Sequence, residues 1–233
     1  MTPIDTTLIQ VIASRCGVTV RQAEHTVQLL AEGATVPFIS RYRKERTGGL
    51  DEVQVSAVKV QFERLSELEK RKETILASID EQGKLTPELR MKIEQCYEGA
   101  PLEDLYLPYR PKRRTRATVA REKGLEPLAA MLMRQDGARP DRLAERFVGG
   151  EVHDLQEALD GACDIIAEWV SESEAARSAM RRLFTREGVI SARVVKGKEQ
   201  EGAKYSDYFD WSEPLRRVAA HRLLAMVRAE REG

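Results

Sequence analysis

The sequence predicts an all-α protein: a multi-helix assembly with an N-terminal helix-turn-helix-like corner and one long scaffold helix. Three observations carry that expectation. Apolar residues return at three- and four-residue steps along most of the chain. Asp, Thr and Ser stand where helices should begin, and Gly where they should end. Aromatics make up 6% of the 233 residues, with 15 Gly and 9 Pro, which is thin for a sandwich of short strands and frequent turns.

Taken in order, Leu8, Ile9, Val11, Ile12 and Cys16 recur at helical spacing from Asp5 to Cys16, and Gly17 offers a C-terminal stop. Thr19 can cap a second helix through Val20, Ala23, Val27 and Leu30, which Gly33 ends. Two helices across a turn of about three residues, with small Ala13 at the approach and Val18 and Ala23 inward, have helix-turn-helix spacing. Pro37 suits the first turn of a short basic helix, with Phe38, Ile39 and Tyr42 as its apolar face and Gly48-Gly49 as its end. Asp51 then caps a helix running to about Gln82, whose stripe includes Val55, Val58, Phe62, Leu65, Leu68, Ile75 and Ile79.

Thr86-Pro87 opens a helix expected to reach Gly99. From Leu102 to Pro111 the prolines at 108 and 111 predict a structured loop. Helix resumes from Ala117 to Gln135 with a break at Gly124 and Pro127, and a short helix is expected from Leu143 to Phe147. Leu155 to Trp169 is amphipathic and should continue, kinked through Ser171 to Ser173, towards Phe184. Val189 to Val195 suits a strand or a helix equally, and a final helix is expected from about Ala219 to Arg231.

Charge narrows the function. With 38 Lys and Arg against 38 Asp and Glu, the formal charge is zero, so bulk electrostatics select no partner. Cysteines 16, 96 and 163 are far apart and form no CxxC pair, so reduced, buried thiols are expected and neither a zinc site nor a disulfide framework. The three histidines stand apart from any Ser elbow or HExxH spacing, and Gly197 to Lys204 misses the P-loop pattern. No catalytic residue, metal ligand or cofactor is therefore expected. The Met1 to Asp5 segment lacks a signal-peptide pattern and no stretch is apolar enough to span a bilayer, which makes a cytoplasmic, non-membrane protein the expectation.

Local charge is uneven. Arg110, Lys112, Arg113, Arg114, Arg116, Arg121 and Lys123 face the single acid Glu122 within one segment. Guanidinium groups bind phosphate bidentately and do not lose their charge, and a proline-stiffened loop surrenders little entropy in holding them. Arg41, Arg43, Lys44 and Arg46 flank Tyr42, a ring able to stack on a base. These nine positions, Arg41, Arg43, Lys44, Arg46, Arg110, Lys112, Arg113, Arg114 and Arg116, are the candidate contacts to an RNA or DNA backbone, without sequence reading. Residues 151–174 carry eight carboxylates and no Lys or Arg, so the same cations could instead clamp acidic helices of the chain itself. The second helix exposes Arg21, Gln22, Glu24, His25 and Gln28, a weakly cationic set for a major groove.

The block Pro37-Phe-Ile-Ser-Arg-Tyr-Arg-Lys-Glu-Arg-Thr-Gly-Gly49 within Gly33 to Gln54, the run Glu81 to Leu89, the block Leu102-Glu-Asp-Leu-Tyr-Leu-Pro-Tyr-Arg-Pro-Lys-Arg-Arg114 and the stretch Val195 to Asp210 follow one another in order. Together they resemble the N-terminal region of the Tex family of bacterial transcription accessory proteins, with Ser40 where Ala is usual and Val218-Ala-Ala-His221 where Pro-Ser-His is more familiar. The resemblance implies a helical region with a helix-turn-helix, followed in the family by an RNase H-like domain, helix-hairpin-helix motifs and an OB-fold to which RNA binding is mainly assigned. Those later parts are absent from this sequence, which therefore reads as part of a longer protein. It also implies a non-enzymatic role and kinship to a eukaryotic elongation factor that chaperones histones. The expected organisation is a helix-turn-helix-like subdomain with a basic third helix over 1–50 and a helical scaffold over 51–233. The expected role is auxiliary nucleic-acid contact and scaffolding in transcription. The alternative is a protein-interaction module that docks on the family's other domains, on RNA polymerase or on other transcription proteins.

Overall fold

Side-chain caps start the helices. The computed structural model describes residues 6–232; Asp5, where the first helix is expected to begin, lies outside the described residues. The chain divides into two compact units, Met1–Arg110 and Pro111–Gly233.

In the first unit, α1 (Thr6–Cys16) and α2 (Val20–Ala31) meet at Gly17, whose φ of 64° is the left-handed conformation that glycine adopts without strain. Thr19 and Gln22 form a reciprocal capping box, each side chain accepting from the other's backbone amide. Then come α3 (Val36–Tyr42) and α4 (Lys44–Thr47), separated at Arg43 (φ −129°, ψ 26°), where the sequence suggests one continuous short helix. Of its expected apolar face only Ile39 is buried; Phe38 and Tyr42 are 38% and 64% exposed. A three-residue apolar face on so short a helix cannot all reach one core, and the rings at 38 and 42 fall outside it.

The long helix α5 (Glu52–Glu81) begins with a second capping box, Asp51 with Gln54. Its upper half buries Val58 and Leu65 with Ile12, Ala23 and Val27, while its lower half buries Ile75 and Ile79. The lower partners come from α6 (Pro87–Glu94) and α7 (Gly99–Tyr106), through Ile93, Leu102 and Leu105. Here the expectation of a loop over Leu102 to Pro111 is corrected. Pro101 lies in the first turn of α7, where no intrahelical donor is needed, so the chain stays helical to Tyr106 and only Leu107–Tyr109 tightens into a 3-10 turn at Pro108. The helix from Thr86 correspondingly stops at Glu94, short of Gly99.

The second unit holds α8 (Arg116–Glu122), α9 (Glu126–Met133), α10 (Pro140–Ala144), α11 (Leu155–Glu172) and α12 (Glu174–Glu187). Its core joins Ala117, Ala120, Leu125, Leu128, Ala158, Ala162 and Ile165. Ser173 is the kink between α11 and α12, ending one and capping the other by accepting from the Ala176 amide. A strand, β1 (Val189–Arg193), pairs antiparallel with β2 (Asp210–Pro214), Val189 opposite Pro214 and Arg193 opposite Asp210. The last helix is α13 (Ala220–Glu232). The fold is thus all-α apart from this small sheet. The three cysteines are free; Cys16 and Cys96 are half-buried rather than buried, and Cys163, on the solvent side of α11, is exposed.

Candidate nucleic-acid interface

Of the nine candidate cations, Arg41, Arg43, Lys44, Arg46 and Arg110 belong to the first unit and Lys112, Arg113, Arg114 and Arg116 to the second. In the first unit, α3 and α4 carry Arg41, Arg43, Lys44 and Arg46. Arg41, Lys44 and Arg46 are exposed, and none of the four is in an ion pair among the described residues. Phe38 and Tyr42, one helical turn apart, bring their ring centroids to 5.6 Å at a 43° tilt. The Arg43 guanidinium lies 4.9 Å from the centre of the Phe38 ring and donates to the Tyr42 carbonyl oxygen at 3.1 Å. Two latches fix this element on α2. The Gln22 side-chain amide donates to the Gly48 carbonyl at 3.1 Å, and His25 Nδ1 lies 2.6 Å from the Arg46 carbonyl oxygen. A carbonyl can only accept, so Nδ1 carries the proton. Gly48, at φ 63°, turns the chain so that its carbonyl meets Gln22.

In the second unit the basic segment lies against α11. Glu157, Asp164, Glu168 and Glu172 recur at seven- and four-residue steps and so share a helix face. Lys112 bridges Glu172 and, at 3.3 Å, Glu168; Arg121 reaches Glu168 at 2.7 Å; Lys123 pairs with Glu157. Thr115 caps α8 by accepting from the Thr118 amide and donates its own hydroxyl proton to Glu168 Oε2 at 3.1 Å. The Glu168 side chain is only 10% exposed. Its Oε1 takes no well-aligned hydrogen bond and is held by charge alone, from Arg121 and Lys112. Burial by itself would raise the Glu168 carboxyl, but Arg121 and Lys112 outweigh it and hold the group below the usual carboxylate range. The amide of His153 and the Lys123 ammonium likewise lower Glu157.

The outer cations are freer. Arg114 meets Glu122 at 2.7 Å and Arg116 meets Asp164 at 3.4 Å, with 70% and 88% of their side chains exposed. The exposed Arg113 side chain has no ion pair or hydrogen bond among the described residues. Arg110, in the first unit, is exposed and acts on Glu103, whose carboxyl is lowered mainly by its bidentate bond to Arg71. The structure thus gathers Lys112, Arg121 and Lys123 onto the chain's own acids and leaves Arg113, Arg114 and Arg116 towards solvent. The sequence reading does not single out Glu168 or Thr115; it places Phe38 in an apolar face and Gln22 and His25 on the exposed face of α2, not in the roles seen here. The even spacing of the α11 acids was the one available signal. Among the described residues, no group of three or more His, Cys, Asp or Glu could hold a metal ion, and no helix is long and apolar enough to cross a membrane.

The family profile described as "Tex-like protein N-terminal domain" matches residues 6–80, and "Tex central region-like" matches residues 135–233. Together they cover more than half of the chain, which belongs to the Tex family. The basic segment lies between the two matched stretches. Named relatives align across it. The chain is 43% identical over 226 residues to transcriptional accessory protein Tex of Neisseria gonorrhoeae, covering 97% of this chain and 30% of that protein. It is 46% identical over 226 residues to protein YhgF of Escherichia coli, covering 96% of this chain and 29% of that protein. It is 26% identical over 239 residues to human S1 RNA-binding domain-containing protein 1, covering 96% and 23% respectively. The chain spans about three-tenths of the length of its bacterial relatives.

Proposed function

We propose that the chain serves as a non-catalytic nucleic-acid contact and scaffold within a cytoplasmic transcription accessory protein, touching RNA or DNA through the phosphate backbone. One observation carries this: Arg41, Arg43, Lys44 and Arg46 stand without ion pairs among the described residues, on the two short helices that also carry two exposed rings, in a chain whose charges balance overall. Four uncompensated cations at a surface are costly to keep together unless an anion completes them. Exposed Arg113, Arg114 and Arg116 extend the same chemistry to the second unit. The α1–α2 corner is then a helix-turn-helix used as a mount. A relative named as transcriptional accessory and another named for an S1 RNA-binding domain agree with this setting.

A second reading is favoured by one feature. Lys112, Arg121 and Lys123 are already spent on α11, so the segment between residues 110 and 123 could present its outer arginines to an acidic protein surface such as RNA polymerase. Salt separates the two. Binding to duplex DNA should fall with log salt by about 0.9 per neutralised phosphate. The test is a titration against single- and double-stranded RNA and DNA at two salt concentrations, with Arg41→Glu/Lys44→Glu and Arg113→Glu/Arg114→Glu variants. Loss of binding in either variant supports nucleic-acid contact; absence of binding at low salt hands the surface to protein docking.

A further inference from the structure

The helix that a helix-turn-helix would send into a major groove is α2, whose N-terminal residues would meet base edges. Here two of them, Gln22 and His25, are occupied. Gln22 spends its oxygen on the Thr19 amide and its nitrogen on the Gly48 carbonyl, while His25 Nδ1 is bound to the Arg46 carbonyl. Both side chains are half-buried under residues 46 to 48, so α4 covers part of the α2 surface that would read duplex DNA, while Arg21 and Glu24 stay exposed. What faces solvent instead is a different surface: the Phe38 and Tyr42 rings, at 38% and 64% exposure, with Arg43 seated over Phe38 and Arg41, Lys44 and Arg46 exposed on the same two short helices.

From this we infer that the α3–α4 element is a stacking platform for single-stranded nucleic acid, in which Tyr42 and Phe38 receive unstacked bases and Arg41, Lys44 and Arg46 hold the adjoining phosphates. The inference rests on the proposed nucleic-acid contact and specifies the form of polymer it takes. A base inside a duplex shows its neighbours, not a protein, its π-face; only a strand with splayed bases can use exposed rings. The cations alone would favour the opposite order, because duplex DNA carries the denser phosphate charge. A preference for single strands therefore isolates the contribution of the rings. The rings touch the base face, so the platform accepts ribose and deoxyribose strands alike.

The test uses the whole chain with fluorescent oligouridine and oligothymidine of about ten nucleotides and duplexes of equal length, at low salt. One stacked base should give the single strand at least about a fivefold advantage over the duplex. Tyr42→Ala, at a position too exposed to threaten the fold, should bring single-strand affinity down to the duplex value. Arg41→Glu/Lys44→Glu should weaken both forms. Equal binding of both forms, or a Tyr42→Ala variant that keeps its single-strand advantage, overturns the platform and leaves backbone contact standing. Binding of neither form overturns both.

Discussion

Glu168 is a small, almost covered carboxylate that answers to Lys112, Arg121 and Thr115 together. Replacing it by Gln would leave two cations facing a neutral amide, and we expect a loss of about 1–3 kcal/mol in urea unfolding. Its folded value lies below the unfolded one of about 4.3, so the stabilisation is complete above that pH and drains away as pH falls through the lower folded value. The Glu168→Gln chain should therefore lose less stability than the parent on acidification from about pH 5 to pH 3. Equal losses would show that the cluster contributes nothing to folding. Lys72 makes the opposite point about charge. Its side chain is 3% exposed, donating to Glu69 and to the Glu94 carbonyl and lying 4.3 Å from the Tyr97 ring centre. In the sequence it stands within Glu69-Lys-Arg-Lys-Glu73, a run whose charges all look solvated, and only the packing of α6 onto α5 decides which one turns inward.

At the scale of elements, α11 approaches α8 and α9 closely enough that a Cβ on Gly161 would lie 2.4 Å from Leu125 Cδ1 and 3.3 Å from the Ala120 Cβ. Leu125 is only 1% exposed and has no room to withdraw. Gly161→Ala should therefore lower stability by about 1 kcal/mol or more despite the gain of up to about 1 kcal/mol in helix propensity. A more stable variant in thermal unfolding would contradict this packing. Asp51→Ala should cost about 1 kcal/mol through the lost cap of α5, read by the same measurement. Those caps are why most helices were legible: Thr19, Asp51, Thr86 and Ser173 are local signals, complete within four residues. The misreadings have equally definite causes. The prolines at 108 and 111 were allowed to veto Leu102 to Tyr106, which precedes them and keeps its own amides. The strand β2 is Asp-Trp-Ser-Glu-Pro, poor in strand formers, and exists because β1 offers it a ladder some twenty residues away. The clasp between the basic segment and α11 joins residues up to 60 positions apart, as in Lys112 with Glu172, and no local pattern encodes such a pairing.

Across the whole molecule, burial is unequal. Between Ser173 and Glu232 Met226 is the one buried residue, whereas α1, α2, α5 and α11 each bury three or more side chains and α8 buries two. Amide exchange should accordingly be slowest in the middle of α5 and α11 and faster throughout residues 173–232, including both strands. Protection in β1 equal to that in α11 would show a cooperative core extending through the hairpin. The family, the helical class and the basic clusters could be read from residues in order. The covering of α2 could not, because it depends on where main-chain oxygens come to rest. That detail has a consequence of its own. Gln22 and His25 grip the peptide oxygens of residues 48 and 46, not their side chains, so the fastening is indifferent to what is written at Lys44 and Arg46. The outward lettering of this knob can be rewritten wholesale, for another polymer or another protein, while its hinge pins stay in place.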